Sequence, residues 1–243
     1  MPRVASLILI ALVAAATGCG DDGDAAFDSE GPAPAGARGS LHVSALGDSI
    51  TAGSPLYDPD PKARAQFGFG DDKRSQFEYW AAEQNPDLEF SNCGVFGERT
   101  HEIATRLGDC AGGADVLIVQ GGINDIAQAL ASGPEAALDA ASEAATNIEG
   151  MIAEGQGLGL DVVVVNVLPW NNGHPVADEP IRELNADIAD IAKREGVPLI
   201  DFHAALQDPD EPGVMAPDLS DDGDHPSIEG YRILGELVAR ELG

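Results

Sequence analysis

Basic residues are scarce in this chain. Thirteen Lys and Arg stand against 42 Asp and Glu, a formal net charge of −29 at pH 7. Nucleic acids and anionic lipid surfaces are held through clustered Lys and Arg, so the balance argues against both as partners. It favours a soluble, self-repelling surface. Cysteine is sparse as well: three residues, no Cys-x-x-Cys and no Cys/His cluster, which leaves no basis for a zinc site. The apolar run Val4 to Ala16 falls short of the roughly 20 residues that span a bilayer. There is no internal repeat and no Gly-x-Ser-x-Gly, so the nucleophile elbow of the α/β-hydrolases is not the template.

What is present points to one domain behind an export signal. The chain has 243 residues, 44% of them hydrophobic, enough for one sizeable core and short for two. Residues 1–18 carry one early cation, Arg3, then the short apolar run, then small residues, the pattern of an export signal. "ATGC" leads directly into Cys19 and resembles a bacterial lipobox, which implies lipid on Cys19. The expected location is therefore the cell envelope, anchored at Cys19, or the exterior if Cys19 is not lipidated. Contact with a membrane is expected only through that anchor. Residues 19–40, rich in Gly, Ala, Pro and Asp, read as a flexible tether, and residues 41–243 as the domain. Export means an oxidising compartment, so Cys93 and Cys110 are expected to form a disulfide.

From Leu41 the chain alternates strand and helix. "LHVSAL", "DLEFSN", "ADVLIVQGG", "DVVVVNVL" and "VPLID" read as strands, the third and fourth apolar enough to be buried on both faces. Helices are expected over "SQFEYWAAEQ", "THEIATRL", "PEAALDAASEAATNIEGMIAEG", "DEPIRELNADIADIAKREG" and "SIEGYRILGELVAREL". Such alternation predicts an α/β fold, a parallel sheet in a three-layer α/β/α sandwich, with its chemistry beyond the carboxyl ends of the strands. Residues 53–74 form a long, mostly polar loop after the first strand, placed to line or cover that rim.

Four segments at that rim carry reactive groups. "LGDSITAG" puts Ser49 just past the first strand. "DDGDHPS", before the last helix, offers His225 as a base and Asp222 as the carboxylate that holds the imidazole. An oxyanion needs preorganised donors. Candidates are the Ser49 N–H, the N–H of Gly97 in "NCGVFGERT", and the Asn124 amide in "GGIND".

These four blocks, in this order, resemble those of the SGNH (GDSL) hydrolase superfamily, and the resemblance runs from about Leu41 to the C-terminus. It implies a flavodoxin-like five-stranded sheet in the order 2-1-3-4-5. It implies Ser49 as nucleophile, Asp222 and His225 completing the triad, and Ser49, Gly97 and Asn124 around the oxyanion. No metal and no organic cofactor goes with it. Gly94 competes with Gly97, and Gly97 is preferred because the family's glycine sits several residues past the strand Asn, here Asn92. Asp221 and Asp224 crowd Asp222, which spacing favours.

Structural roles compete with catalytic ones. Ser49 suits a helix N-cap, and Asp125 is expected to cap the helix that follows it. Asp48 is expected to bond the turn. His42, His101, His174 and His203 read as surface or satisfied core residues. Trp170 lies on the reactive rim as a candidate substrate contact. The expected activity is hydrolysis of short-chain or carbohydrate O-acetyl esters through an acyl-enzyme, on small-molecule or glycan substrates. Alternatives are an envelope-glycan O-acyltransferase, a lysophospholipase and, from another class, a non-catalytic binding module. The polar character of residues 53–74 argues against a lipase lid.

Overall fold

Five strands, β1 (Leu41–Gly47), β2 (Leu88–Gly94), β3 (Val116–Val119), β4 (Asp161–Val165) and β5 (Leu199–Ile200), pair in parallel in the order β2-β1-β3-β4-β5. The structure is a computed structural model and describes residues 39–243. The segments expected to hold the export signal and a lipidated Cys19, and nearly all of the expected tether, lie outside the described residues. The expected sheet order is the one found.

Strand alternation divides the core in two. Val43, Ala45, Val116, Ile118, Val163 and Val165 point to one layer, Leu46, Leu117, Val119, Val162 and Val164 to the other. The described residues form ten α-helices: α1 (Ser49–Ala52), α2 (Pro61–Phe67), α3 (Phe77–Gln84), α4 (Thr100–Ala104), α5 (Leu107–Cys110), α6 (Ile123–Ala129), α7 (Pro134–Gly157), α8 (Asp178–Glu195), α9 (Phe202–Leu206) and α10 (Ile228–Leu242). The first layer takes Phe77 and Ala81 of α3, Phe202 of α9, and Tyr231, Leu234 and Val238 of α10. The second takes Ile148, Met151 and Ile152 of α7 with Leu184 and Ile188 of α8. Both faces of the sheet are thus covered, as the continuous apolar strands require.

The long loop is more structured than its composition suggests. Asp60 caps α2 by accepting from the Lys62 N–H (2.8 Å), and Pro61 takes the first helical position. The loop closes on itself where Gly70 N–H donates to the Pro55 carbonyl and Asp72 N–H to the Leu56 carbonyl, both at 3.0 Å.

Cys93 and Cys110 are bridged, tying the end of β2 to the end of α5 across 17 residues of sequence. A closed loop of that length limits the unfolded chain. Replacing both cysteines by serine is expected to lower stability by about 3 kcal/mol. Denaturant unfolding of the double variant against wild type measures this, and an unchanged midpoint would contradict it.

Candidate active site

At the end of β1 the chain turns sharply into α1, and Asp48, not Ser49, makes the cap. Its Oδ1 accepts from the Ile50 N–H at 2.9 Å. Its own N–H donates to Gln120 Oε1 at 3.1 Å, and Thr51 Oγ1 donates to the same oxygen at 2.9 Å. Gln120 follows β3, so two strand ends are locked together beneath the turn. Ser49 becomes the first residue of α1, with its hydroxyl free of capping duty.

That hydroxyl meets the other end of the chain. Ser49 Oγ lies 3.1 Å from His225 Nε2, and His225 Nδ1 lies 2.8 Å from Asp222 Oδ2. The turn that presents His225 is built from short side chains. Ser220 Oγ accepts from the Gly223 N–H and donates to the His225 carbonyl, and Ser227 caps α10 two residues later. Asp222 Oδ1 accepts from the backbone N–H groups of His225 (2.7 Å) and Asp224 (2.8 Å). Partial burial alone would push the Asp222 carboxyl up. The hydrogen bonds from the His225 ring and from these two N–H groups outweigh it and bring the group down to about 2. Asp222 is therefore anionic wherever the imidazole needs a charged partner.

The crowding of acids resolves by geometry. Asp221 is exposed. Asp224 Oδ1 accepts from Trp170 Nε1 (2.6 Å) and Asn172 Nδ2 (2.8 Å), so it pins the loop after β4 to the loop before α10. Only Asp222 reaches the imidazole.

The two glycines after β2 also separate. Gly94 N–H donates to Asn92 Oδ1 at 2.9 Å, and a Cβ there would sit 2.1 Å from the Ala52 backbone nitrogen. Gly94 is thus a close-approach residue under α1, with its donor already used. Gly97 has φ +80°, open space around it, and an N–H with no partner among the described residues. The Ser49 N–H is likewise without a partner there. Asn124 donates one amide hydrogen to the Glu98 carbonyl (2.9 Å), which binds α6 to the Gly97 segment and leaves its second amide hydrogen uncommitted.

A match to a family model covers residues 45–233, under the description GDSL-like lipase/acylhydrolase. The chain belongs to that family. Solved structures agree on the fold. A lipase/acylhydrolase from Enterococcus faecalis is 23% identical (TM-score 0.60, covering 83% of this chain and 95% of that one). A catalytic mutant of an acetylxylan esterase from Geobacillus stearothermophilus is 20% identical (TM-score 0.65, 84% and 95%). A GDSL-like lipase from Bacteroides thetaiotaomicron is 18% identical (TM-score 0.61, 84% and 88%). No curated protein matched.

Two residues of this family member, Arg106 and Gln120, escaped the sequence reading, and a third, Asp125, was given a role the structure corrects. Arg106 of the turn before α5 donates to the Cys93 carbonyl (2.7 Å) and the Gly47 carbonyl (3.1 Å), and pairs with Glu98 (2.6 Å). It fastens the Gly97 segment to the ends of β1 and β2. Asp125 does not cap its own helix. Its carboxylate, pushed up by burial, accepts from the Thr100 N–H (3.0 Å) and hydroxyl (2.8 Å) at the start of α4. Such partners lie 25 residues apart in sequence, beyond any local signal. Gln120 acts through its bonds to the Asp48 N–H and Thr51 Oγ1. Trp170 has its only side-chain donor committed to Asp224, and the residue lines a cavity of about 10 Å³ with Ile50, Ile123 and Leu168. Of the other histidines, His174 pairs with Asp178 (2.9 Å), His42 with Glu89 (3.4 Å), and His203 is half-buried.

Asp48 is fully buried, with Oδ2 unpartnered among the described residues. Burial raises its carboxyl to about 6, against lowering by the Ile50 N–H, Gln120 and His225. A raised carboxyl favours the fold while protonated, so this contribution is full below pH about 4 and lost as pH rises through 6. Asp48→Asn keeps the acceptor for Ile50 and removes the ionisation. Wild type is expected to lose on the order of 3 kcal/mol between pH 4 and 7 relative to Asp48→Asn. Denaturant unfolding of both across that range measures it, and parallel profiles would contradict it.

Proposed function

We propose that the protein is a serine esterase that cleaves short-chain carboxylic esters, carbohydrate O-acetyl esters among them, through an acyl-enzyme. The observation that carries this is the continuous contact from Ser49 Oγ through the His225 ring to Asp222. His225 Nε2 takes the Ser49 proton as Oγ attacks the ester carbon. Asp222 holds the proton on Nδ1 and stabilises the imidazolium. The N–H groups of Ser49 and Gly97 and the free amide hydrogen of Asn124 receive the oxyanion. His225 then protonates the leaving oxygen as the carbon–oxygen bond breaks. Water, deprotonated by the same imidazole, releases the acid.

Family membership supports ester substrates as a class. The sequence of residues 1–19 supports export with lipid on Cys19, which would hold the domain at an envelope membrane and near glycan esters.

The test is hydrolysis of p-nitrophenyl esters from acetyl to palmitoyl. The reading expects turnover that is highest for the shortest acyl groups. A folded protein that turns over none of them would overturn it in favour of acyl transfer to a specific alcohol or of binding without catalysis.

A further inference from the structure

The apolar surface beside His225 is not polar loop, as composition suggested. Phe67 at the end of α2 and Phe69 just past it reach Phe96 of the segment after β2. Ring centroids lie 5.4 Å (Phe67–Phe69), 5.5 Å (Phe67–Phe96) and 5.0 Å (Phe69–Phe96) apart. Phe67 is 51% exposed and Phe96 38%, and Leu56, also exposed, lines the surface beside His225. Burying apolar groups drives folding, yet here a cluster of three rings is left open to water. It is continuous with the reaction centre: the Phe96 ring lies 6.4 Å from the His225 ring, inclined by 31°.

We propose that this cluster is the binding subsite for an apolar, alkyl or aryl, leaving alcohol. The inference rests on the esterase reading. His225 Nε2 delivers the proton to the leaving oxygen, so the group attached to that oxygen must lie against the imidazole. Phe96 is the aromatic side chain placed there. Phenylalanine rings carry no polar tip, so within the proposed ester class the cluster narrows the preference to esters of apolar alcohols over carbohydrate O-acetyl esters. The net charge of −29 sets the chain against anionic lipid surfaces, which favours a single neutral ester molecule over a membrane as occupant.

The test holds the acyl group constant and lengthens the alcohol. Methyl to hexyl acetates have nearly equal leaving groups, so their kcat/KM values report contact rather than reactivity. Full burial of a methylene corresponds to about fourfold; an open cluster is expected to give about twofold per methylene, roughly thirtyfold from methyl to hexyl. In Phe67→Ser/Phe96→Ser that ratio is expected to collapse to about one, and in Phe67→Leu/Phe96→Leu to be partly kept. Thermal melts establish that each variant is folded. A flat wild-type series, or a slope that survives Phe67→Ser/Phe96→Ser, overturns the subsite. So does a loss confined to acetylated xylosides, which would make the cluster a sugar platform. A wild type inactive on every ester instead defeats the esterase reading itself.

Discussion

Ser49→Ala is expected to lower kcat/KM for p-nitrophenyl acetate by about four orders of magnitude or more, with little change in stability. The nucleophile is the one group whose loss removes the covalent route altogether; what remains is catalysis by the oxyanion donors and by binding. Stability should hold because the cap of α1 belongs to Asp48, whose bond to the Ile50 N–H does not involve the Ser49 side chain. The Ser49 hydroxyl has His225 Nε2 as its hydrogen-bond partner, and alanine leaves that nitrogen facing the open site. Steady-state rates and thermal melts of the two proteins check both parts. Retention of more than about one-hundredth of the rate would contradict the role given to Ser49.

Asp222→Asn is expected to cost between about 10² and 10⁴ in kcat, with a much smaller change in KM. Asparagine retains an oxygen for the backbone N–H groups of His225 and Asp224, so the turn should keep its shape. Its amide then donates to Nδ1 where the carboxylate accepted. The imidazole is forced into the tautomer with its proton on Nε2, facing Ser49, and can no longer take the serine proton. Asp224→Asn is the comparison. Asp224 binds Trp170 and Asn172 and not the imidazole, so its loss should alter kcat by less than about tenfold. Equal losses in the two variants would show that the acidic turn matters only for its shape. The depressed Asp222 carboxyl also stabilises the fold above pH about 4, a contribution lost as pH falls through 2.

Much of this was legible before any coordinates. The valine and leucine runs of β3 and β4 could only be strands covered on both faces, and the strand–helix alternation left the parallel sandwich as the consistent arrangement. The four reactive blocks each fall at the carboxyl end of a strand or before a helix, so their chemistry and their placement could be read together. Local pattern failed where function rests on partners far apart. Asp125 binds Thr100, Gln120 binds Asp48, and Arg106 spans three segments. Helix α2 buries none of its residues, so it has no apolar stripe; its only signals were Asp60-Pro61 at the start and Gly68 at the end. The average polarity of residues 53–74 hid Phe67 and Phe69, because an average does not show that two rings converge on Phe96. β5 is two residues long where "VPLID" suggested five, which suits an edge strand.

The central claim is that Ser49, served by His225, forms the covalent intermediate. A fluorophosphonate phosphonylates an activated serine and stays attached, so intact mass and peptide mapping locate the nucleophile without knowledge of the natural ester. The account predicts one adduct per chain, on Ser49, formed far more slowly in His225→Ala and absent in Ser49→Ala. An esterase-active protein that carries the adduct on another residue, or labels equally fast without His225, would contradict it.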